Sequence, residues 1–153
     1  MSDHPAEVAE AAEVNIGVLL FVAYRAMESR VFEALAAAGY DDVTPAQARV
    51  FQRIGPDGTR LSELADQAQV TKQTAGVLVD ALERAGYVRR TPDPTDARAR
   101  LIRISERGER VAAAAAVVVA DVEAEWTAFL GESRMSQLRS ILASLRTITD
   151  PYA

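Results

Sequence analysis

Thr71-Lys72-Gln73-Thr74 places a hydroxyl, an ammonium, a primary amide and a second hydroxyl on four consecutive residues. Groups of this kind recognise by donating and accepting hydrogen bonds. A glutamine amide pairs bidentately with adenine, and a lysine ammonium reaches guanine or a phosphate. Gly76 follows inside the same helical pattern, where glycine costs about 1 kcal/mol relative to alanine. Either it lets the helix lie close against a DNA groove, or it serves close helix packing, or its cost is simply tolerated. Thr71, Lys72, Gln73, Thr74 and Gly76 form the first candidate DNA-contacting set. The plainer alternative for the four polar residues is a well-capped, solvated helical turn.

Bond-making chemistry has little to draw on. The chain has no cysteine, and its only histidine is His4. This removes thiolate and internal imidazole nucleophiles or bases, disulfides and the common structural zinc sites. No glycine-rich phosphate loop is present. No catalytic residue, metal ligand or cofactor is assigned, and the expectation is a protein that is not an enzyme.

Charge supports the recognition reading once its distribution is considered. The net charge is −5, yet the stretch from Arg84 to Arg110 holds eight arginines against four acids, a local +4 that leaves −9 for the rest. Phosphate contacts respond to the field within about one Debye length, roughly 8 Å at physiological salt. Lys72 is the only lysine.

The elements that must position these residues follow from periodicity. Residues 71–85 put Ala75, Leu78, Val79 and Leu82 on one helical face, with Thr71 as N-cap and Gly86 closing the end. Leu61-Ser62-Glu63-Leu64-Ala65 begins a preceding helix with Ser62 placed as its cap, and Gln69-Val70-Thr71 breaks the two apart. Two short helices around such a break make a helix-turn-helix. After Gly86 the period falls from 3.6 to 2. Tyr87–Thr91 and Arg100–Ile104 read as strands around a Pro92–Arg98 loop, a basic hairpin that forms a wing. Upstream, 5–38 reads as a long helix, apolar nearly all round from Val14 to Tyr24, ended by Gly39; this suits burial against a partner subunit, or a central helix in a monomer. Thr44-Pro45 opens a further helix that stops at Gly55-Pro56-Asp57-Gly58. Ser105 or Glu106 starts a helix to Leu130, and Gly131 separates it from an amphipathic last helix. That last helix suits either a dimer seam or packing onto its own subunit. No uncharged apolar run reaches the roughly 18 residues of a membrane span, and the N-terminus lacks a signal-peptide pattern. A cytoplasmic protein with no membrane partner is the simple expectation.

In this order the chain resembles the MarR family of transcriptional regulators. The resemblance rests on Leu61-Ser62-Glu63-Leu64-Ala65, Val70-Thr71-Lys72-Gln73-Thr74, Leu82-Glu83-Arg84-Ala85-Gly86-Tyr87-Val88, Asp96-Ala97-Arg98 and Ile104-Ser105-Glu106-Arg107-Gly108. It implies a mainly α fold: a winged helix-turn-helix lobe (44–104) with a small β-hairpin wing, flanked by dimerisation helices (5–38 and 105–149) in one domain, 1–153. It implies a homodimer on a pseudo-palindromic double-stranded operator, the recognition helix in the major groove and the wing arginine in the minor groove. It also implies a small, often aromatic effector between the dimer helices and the lobe, most simply relieving repression. Two positions depart from the family pattern. Gln69 stands where glycine is frequent and must itself carry any positive φ. Val77 stands where the family often has a polar or basic group.

On this basis Arg90, Asp96, Arg98 and Arg100 join the DNA-binding set. Arg98 reads as a minor-groove finger oriented by Asp96, or as a loop charge paired with it. Tyr24, Met27 and Phe51 read as ligand-pocket residues or as plain core, with Arg25 and Arg49 as weaker candidates for an anionic anchor. The competing function is a winged-helix protein–protein interaction module without specific DNA binding. The net negative charge and the acids Asp80 and Glu83 on the recognition helix motivate it.

Overall fold

The computed structural model of the chain describes residues 13–153. Helix α1 (Ile16–Ala37) begins where Asn15 adopts extended backbone and its side chain accepts from the Val18 N–H at 3.0 Å. The expected start at Pro5 is thus not where this helix starts, because an asparagine satisfies a free amide better as a cap than in a helix interior. Residues 5–12, and His4 before them, lie outside the described residues. At the other end Gly39 takes φ 93°, its N–H donating to Ala36 and that of Tyr40 to Leu35. Helix α2 (Pro45–Phe51) has the expected Thr44 cap and proline start. It adds a reciprocal bond, since the Gln47 side chain accepts from the Thr44 N–H.

Strand β1 (Thr59–Arg60) then leads directly into α3 (Leu61–Ala68). Arg60 occupies the N-cap position without a side-chain cap, so Ser62 lies inside the first turn and does not cap the helix. The extended pairing of Thr59 with Ile102 and of Arg60 with Leu101 ends at Arg60, two residues before Ser62, so the helix has already begun when Ser62 is reached. Two-residue strands carry no readable period. Helix α4 (Lys72–Arg84) is followed by β2 (Val88–Asp93) and β3 (Asp96–Ile104), and the antiparallel sheet has the order β1-β3-β2. The hairpin is longer than its alternation suggested. Pro92 pairs with Arg100 and Asp93 with Asp96, so the Pro92–Arg98 loop contracts to a turn at Pro94-Thr95. An outer strand accommodates Pro92 at an irregularity in the ladder.

The core lies in this lobe. Leu64, Val79, Leu82, Tyr87 and Ile102 are fully buried there, joined by Leu35 of α1 and by Val111 of helix α5 (Glu106–Leu130). Each such aliphatic side chain contributes about 1.5–3 kcal/mol by leaving water. Ser105 caps α5 by accepting from the Gly108 N–H at 3.1 Å, and its hydroxyl also bonds to the Gly86 carbonyl. Tyr87 anchors the same junction. Its hydroxyl bonds to Asp42 and accepts from Arg107 at 3.1 Å, and the Arg107 guanidinium sits 4.8 Å from the Tyr87 ring centre. Burial, then the bond to Asp42, raises the Tyr87 pKa.

Helix α1 packs along α5, and α5 against helix α6 (Glu132–Thr149) beyond Gly131. Within the subunit α6 buries no residue, and α1 leaves Ile16, Phe21 and Val22 largely exposed. The end of α6 returns to the lobe through Asp150, which accepts both terminal nitrogens of Arg53 at 3.0 and 3.1 Å. Arg53, the Tyr152 N–H and Arg146 hold its carboxyl far below the usual range. Among the described residues no helix is long and apolar enough to cross a membrane. The architecture is mainly helical with one small antiparallel sheet, as the sequence led us to expect.

Candidate nucleic-acid interface

The two helices of the helix-turn-helix meet at a backbone that most residues avoid. Gln69 adopts the left-handed conformation, φ 57° and ψ 42°, the one non-glycine residue with positive φ among those described. Its N–H donates to Asp66 and the Val70 N–H to Ala65, closing α3 with the same pair of bonds that Gly39 and Gly86 make elsewhere. Gln69 therefore itself carries the strain of a positive φ, as expected of it.

Thr71 caps α4 as expected. Its hydroxyl accepts the Thr74 N–H at 3.1 Å and lies 2.9 Å from the Thr74 hydroxyl. Thr71, Lys72, Gln73 and Thr74 are all exposed, while Ala75, Val79 and Leu82 of the same helix are buried. The apolar face anchors the helix, and the polar first turn faces outward. Gly76 is only half-buried, and a Cβ built there would meet Leu61 at 3.8 Å, an ordinary contact. The fold does not require glycine at this position.

Arg90 lies in β2 and reaches back to α4. Its two terminal nitrogens donate to Asp80 and to Glu83, each at 2.7 Å. The guanidinium joins wing to helix and offsets the two acids on the second half of α4. Arg90 is thus committed within the lobe rather than presented outward like its neighbours.

The wing tip is built around Asp93, a buried carboxylate. It accepts the Thr95 N–H at 2.8 Å, the Thr95 hydroxyl at 2.7 Å and Nε of Arg60 at 2.7 Å. The two Thr95 bonds and then Arg60 hold its carboxyl down to about 2, against the opposing effect of burial. Asp96 does not orient the Arg98 side chain; its carboxylate accepts the Arg98 backbone N–H at 3.0 Å. A short aspartate two residues ahead reaches the main chain more readily than the end of a long guanidinium. Among the described residues no carboxylate pairs with Arg98 or Arg100, and both are exposed. The fold thus brings Lys72, Gln73, Arg98 and Arg100 to the surface of one lobe.

Beneath that lobe lies a cavity of about 440 Å³. It includes all three residues singled out from the sequence, Tyr24, Met27 and Phe51, together with Glu28 and Arg49. Glu28 is buried, accepts the Tyr24 hydroxyl at 2.8 Å, pairs with Arg25 and has Arg49 at 3.9 Å. Burial, then the bond to Glu28, raises the Tyr24 pKa. Among the described residues no group of His, Cys, Asp or Glu is arranged to hold a metal ion.

Periodicity did not single out Arg60, Asp93, Thr95 or Glu28. Arg60 and Asp93 are distant in sequence and meet only through β1–β3 pairing. Glu28 lacked a signal because a carboxylate in a helix ordinarily faces water. Tyr24 and Glu28 lie four residues apart on α1, but the burial of Glu28 is a property of the folded chain.

A sequence model of the MarR family matches residues 41–99. The transcriptional regulator Tm0710 from Thermotoga maritima shares 30% identity, with 86% of this chain and 90% of that chain covered and a TM-score of 0.61. A MarR-family transcriptional regulator from Rhodococcus sp. RHA1 shares 26% identity, covering 88% of this chain and 94% of its own at a TM-score of 0.68. A MepR mutant from S. aureus, solved bound to an oligodeoxyribonucleotide, shares the fold at 20% identity and a TM-score of 0.59, covering 88% of this chain and 97% of its own. No curated protein matches the sequence.

Proposed function

The chain belongs to the MarR family of transcriptional regulators, and from that membership we propose that it acts as a homodimeric, sequence-specific repressor of a pseudo-palindromic operator, relieved by a small aromatic ligand. The observation that carries this reading is the lobe surface. A capped helix presents Lys72 and Gln73 outward beside a wing that presents Arg98 and Arg100, while Arg90 offsets the acids between them. Gln73 reads adenine in the major groove, Lys72 takes guanine or phosphate, and Arg98 enters the minor groove. Thr71 and Thr74 hold the first turn, Asp93 and Asp96 shape the wing, and Arg100 contacts phosphate. The S. aureus relative bound to an oligodeoxyribonucleotide supports the same use of the fold.

The exposed apolar faces of α1 and α6 pair with a second copy, which makes residues 16–37 and 106–149 the dimerising part and 44–104 the reading lobe. An effector with an apolar ring and one polar group fits the cavity at Tyr24, Met27 and Phe51, with Glu28 and Arg49 at its polar end. A ligand there favours a lobe spacing that no longer matches half-sites about 34–36 Å apart.

The interaction-module alternative drew on net charge and on Asp80 and Glu83. Arg90 pairs with both acids, which weakens the second of these grounds. The deciding experiment enriches duplexes from a randomised library with the full-length protein and measures affinity across salt concentrations. Specific retention with a steep salt slope is expected. Gln73→Ala and Arg98→Ala should each weaken binding by about 1–3 kcal/mol. Equal retention of all duplexes, with no loss in either variant, rejects the proposal.

A further inference from the structure

Val77 is 62% exposed in α4, whose other valine, Val79, is wholly buried. A lone exposed valine is unremarkable on most surfaces. Its position sets it apart. Val77 is four residues after Gln73, about 40° from it around the helix, so the two side chains stack on adjoining turns of the outward face. Asp80, next on that face, is occupied by Arg90. Gly76, immediately before, has no side chain to screen Val77. The valine is also rigid about χ1, so it offers two methyl groups in fixed orientation.

We propose that Val77 is a specificity-determining residue that packs against the 5-methyl group of a thymine beside the adenine read by Gln73. The assignment rests on the DNA-binding reading above and extends it to one named base. In the major groove only the thymine methyl is an apolar group, and short aliphatic side chains recognise it by contact. The half-site is then read as an adenine and an adjacent thymine.

The test removes the methyl from either partner. In the duplex enriched from a randomised library, each thymine of one half-site is replaced in turn by deoxyuridine, which pairs identically but lacks the methyl. For the unaltered protein, one replacement next to the Gln73-sensitive base pair should weaken binding about fourfold, the equilibrium factor for burying one methyl-sized group. Val77→Ser should bind the thymine and deoxyuridine duplexes equally, with circular dichroism unchanged because the residue is exposed. Loss of the discrimination in this variant alone supports the assignment. Indifference of the unaltered protein to every replacement, or retained discrimination in Val77→Ser, overturns it while leaving the DNA-binding reading intact. Enrichment of no duplex overturns both.

Discussion

Gly76 shows how two roles can be separated at one residue. Its place in the reading helix suggested close approach to DNA, yet a Cβ there would make only an ordinary contact with Leu61. Gly76→Ala should raise unfolding free energy in urea by about 1 kcal/mol, the propensity difference between the two residues. Operator affinity should be unchanged. A large loss of affinity would show that the groove needs the bare backbone. Gly108 is the opposite case. Its Cβ would fall 2.2 Å from the Tyr87 carbonyl and 2.8 Å from Ile104, where backbone blocks relief. Gly108→Ala should destabilise by about 1–3 kcal/mol or more, as overpacking does, read as a lower urea midpoint at unchanged slope. An unchanged midpoint would mean that α5 shifts freely away from β2.

At the scale of elements, the wing is held by a carboxylate rather than by its own turn propensity. Asp93 ties Thr95 and Arg60 together, joining β1, β2 and the hairpin turn. Its carboxyl is lowered from an ordinary 3.8 to about 2. A depressed carboxyl stabilises the folded wing fully above the ordinary value and loses that contribution as pH falls through about 2. Amide protection in β2 and β3, taken relative to the unstructured exchange rate at the same pH, should therefore stay high at pH 5 and fall in the window from about 4 down to 2. Asp93→Asn should exchange faster at pH 5 and lose most of this pH response. A wing equally protected in both proteins would mean that sheet pairing alone holds it. Arg90 plays a comparable part between β2 and α4. Its bonds to Asp80 and Glu83 make wing and reading helix one electrostatic unit.

The whole molecule explains how a chain of net charge −5 can suit DNA. Its surplus of acids lies outside the arginine-rich segment, and two of the acids nearest the reading face are paired with Arg90. The apolar faces of α1 and α6 remain uncovered within the subunit. Ile141 is 59% and Ile148 81% exposed on α6, and Ile16 is 71% exposed on α1. Replacing Ile141 and Leu145 with aspartate should convert a dimer to a monomer by light scattering, since two charges in an apolar seam lose their hydration. Operator affinity should fall with it, because two linked lobes bind far more tightly than one. A variant that stays dimeric would place the seam elsewhere, and an unaltered protein that is monomeric would remove it.

Much of this was readable from sequence because the signals are local. A cap, a helical stripe and a terminating glycine lie within a few residues of one another, so α4 was legible from Thr71 to Gly86. The same held for the Thr44-Pro45 start, for a helix start at Ser105 or Glu106 and for the strain assigned to Gln69. The order of such elements, together with the Asp-x-Arg of the wing, was enough to place the chain in its family. The tertiary structure decided what depends on contacts between distant segments. It showed β1, which exists only by pairing with β3, and the shift of the α3 cap from Ser62 that follows from it. It placed Asp93 against Arg60 and Arg90 against Asp80 and Glu83, and gave Asp96 to a backbone amide rather than to a guanidinium. It gathered Tyr24, Met27 and Phe51 around one cavity with Glu28 buried beside them. Periodicity tells which face of an element is buried, but the partners a charged side chain meets depend on how the elements pack.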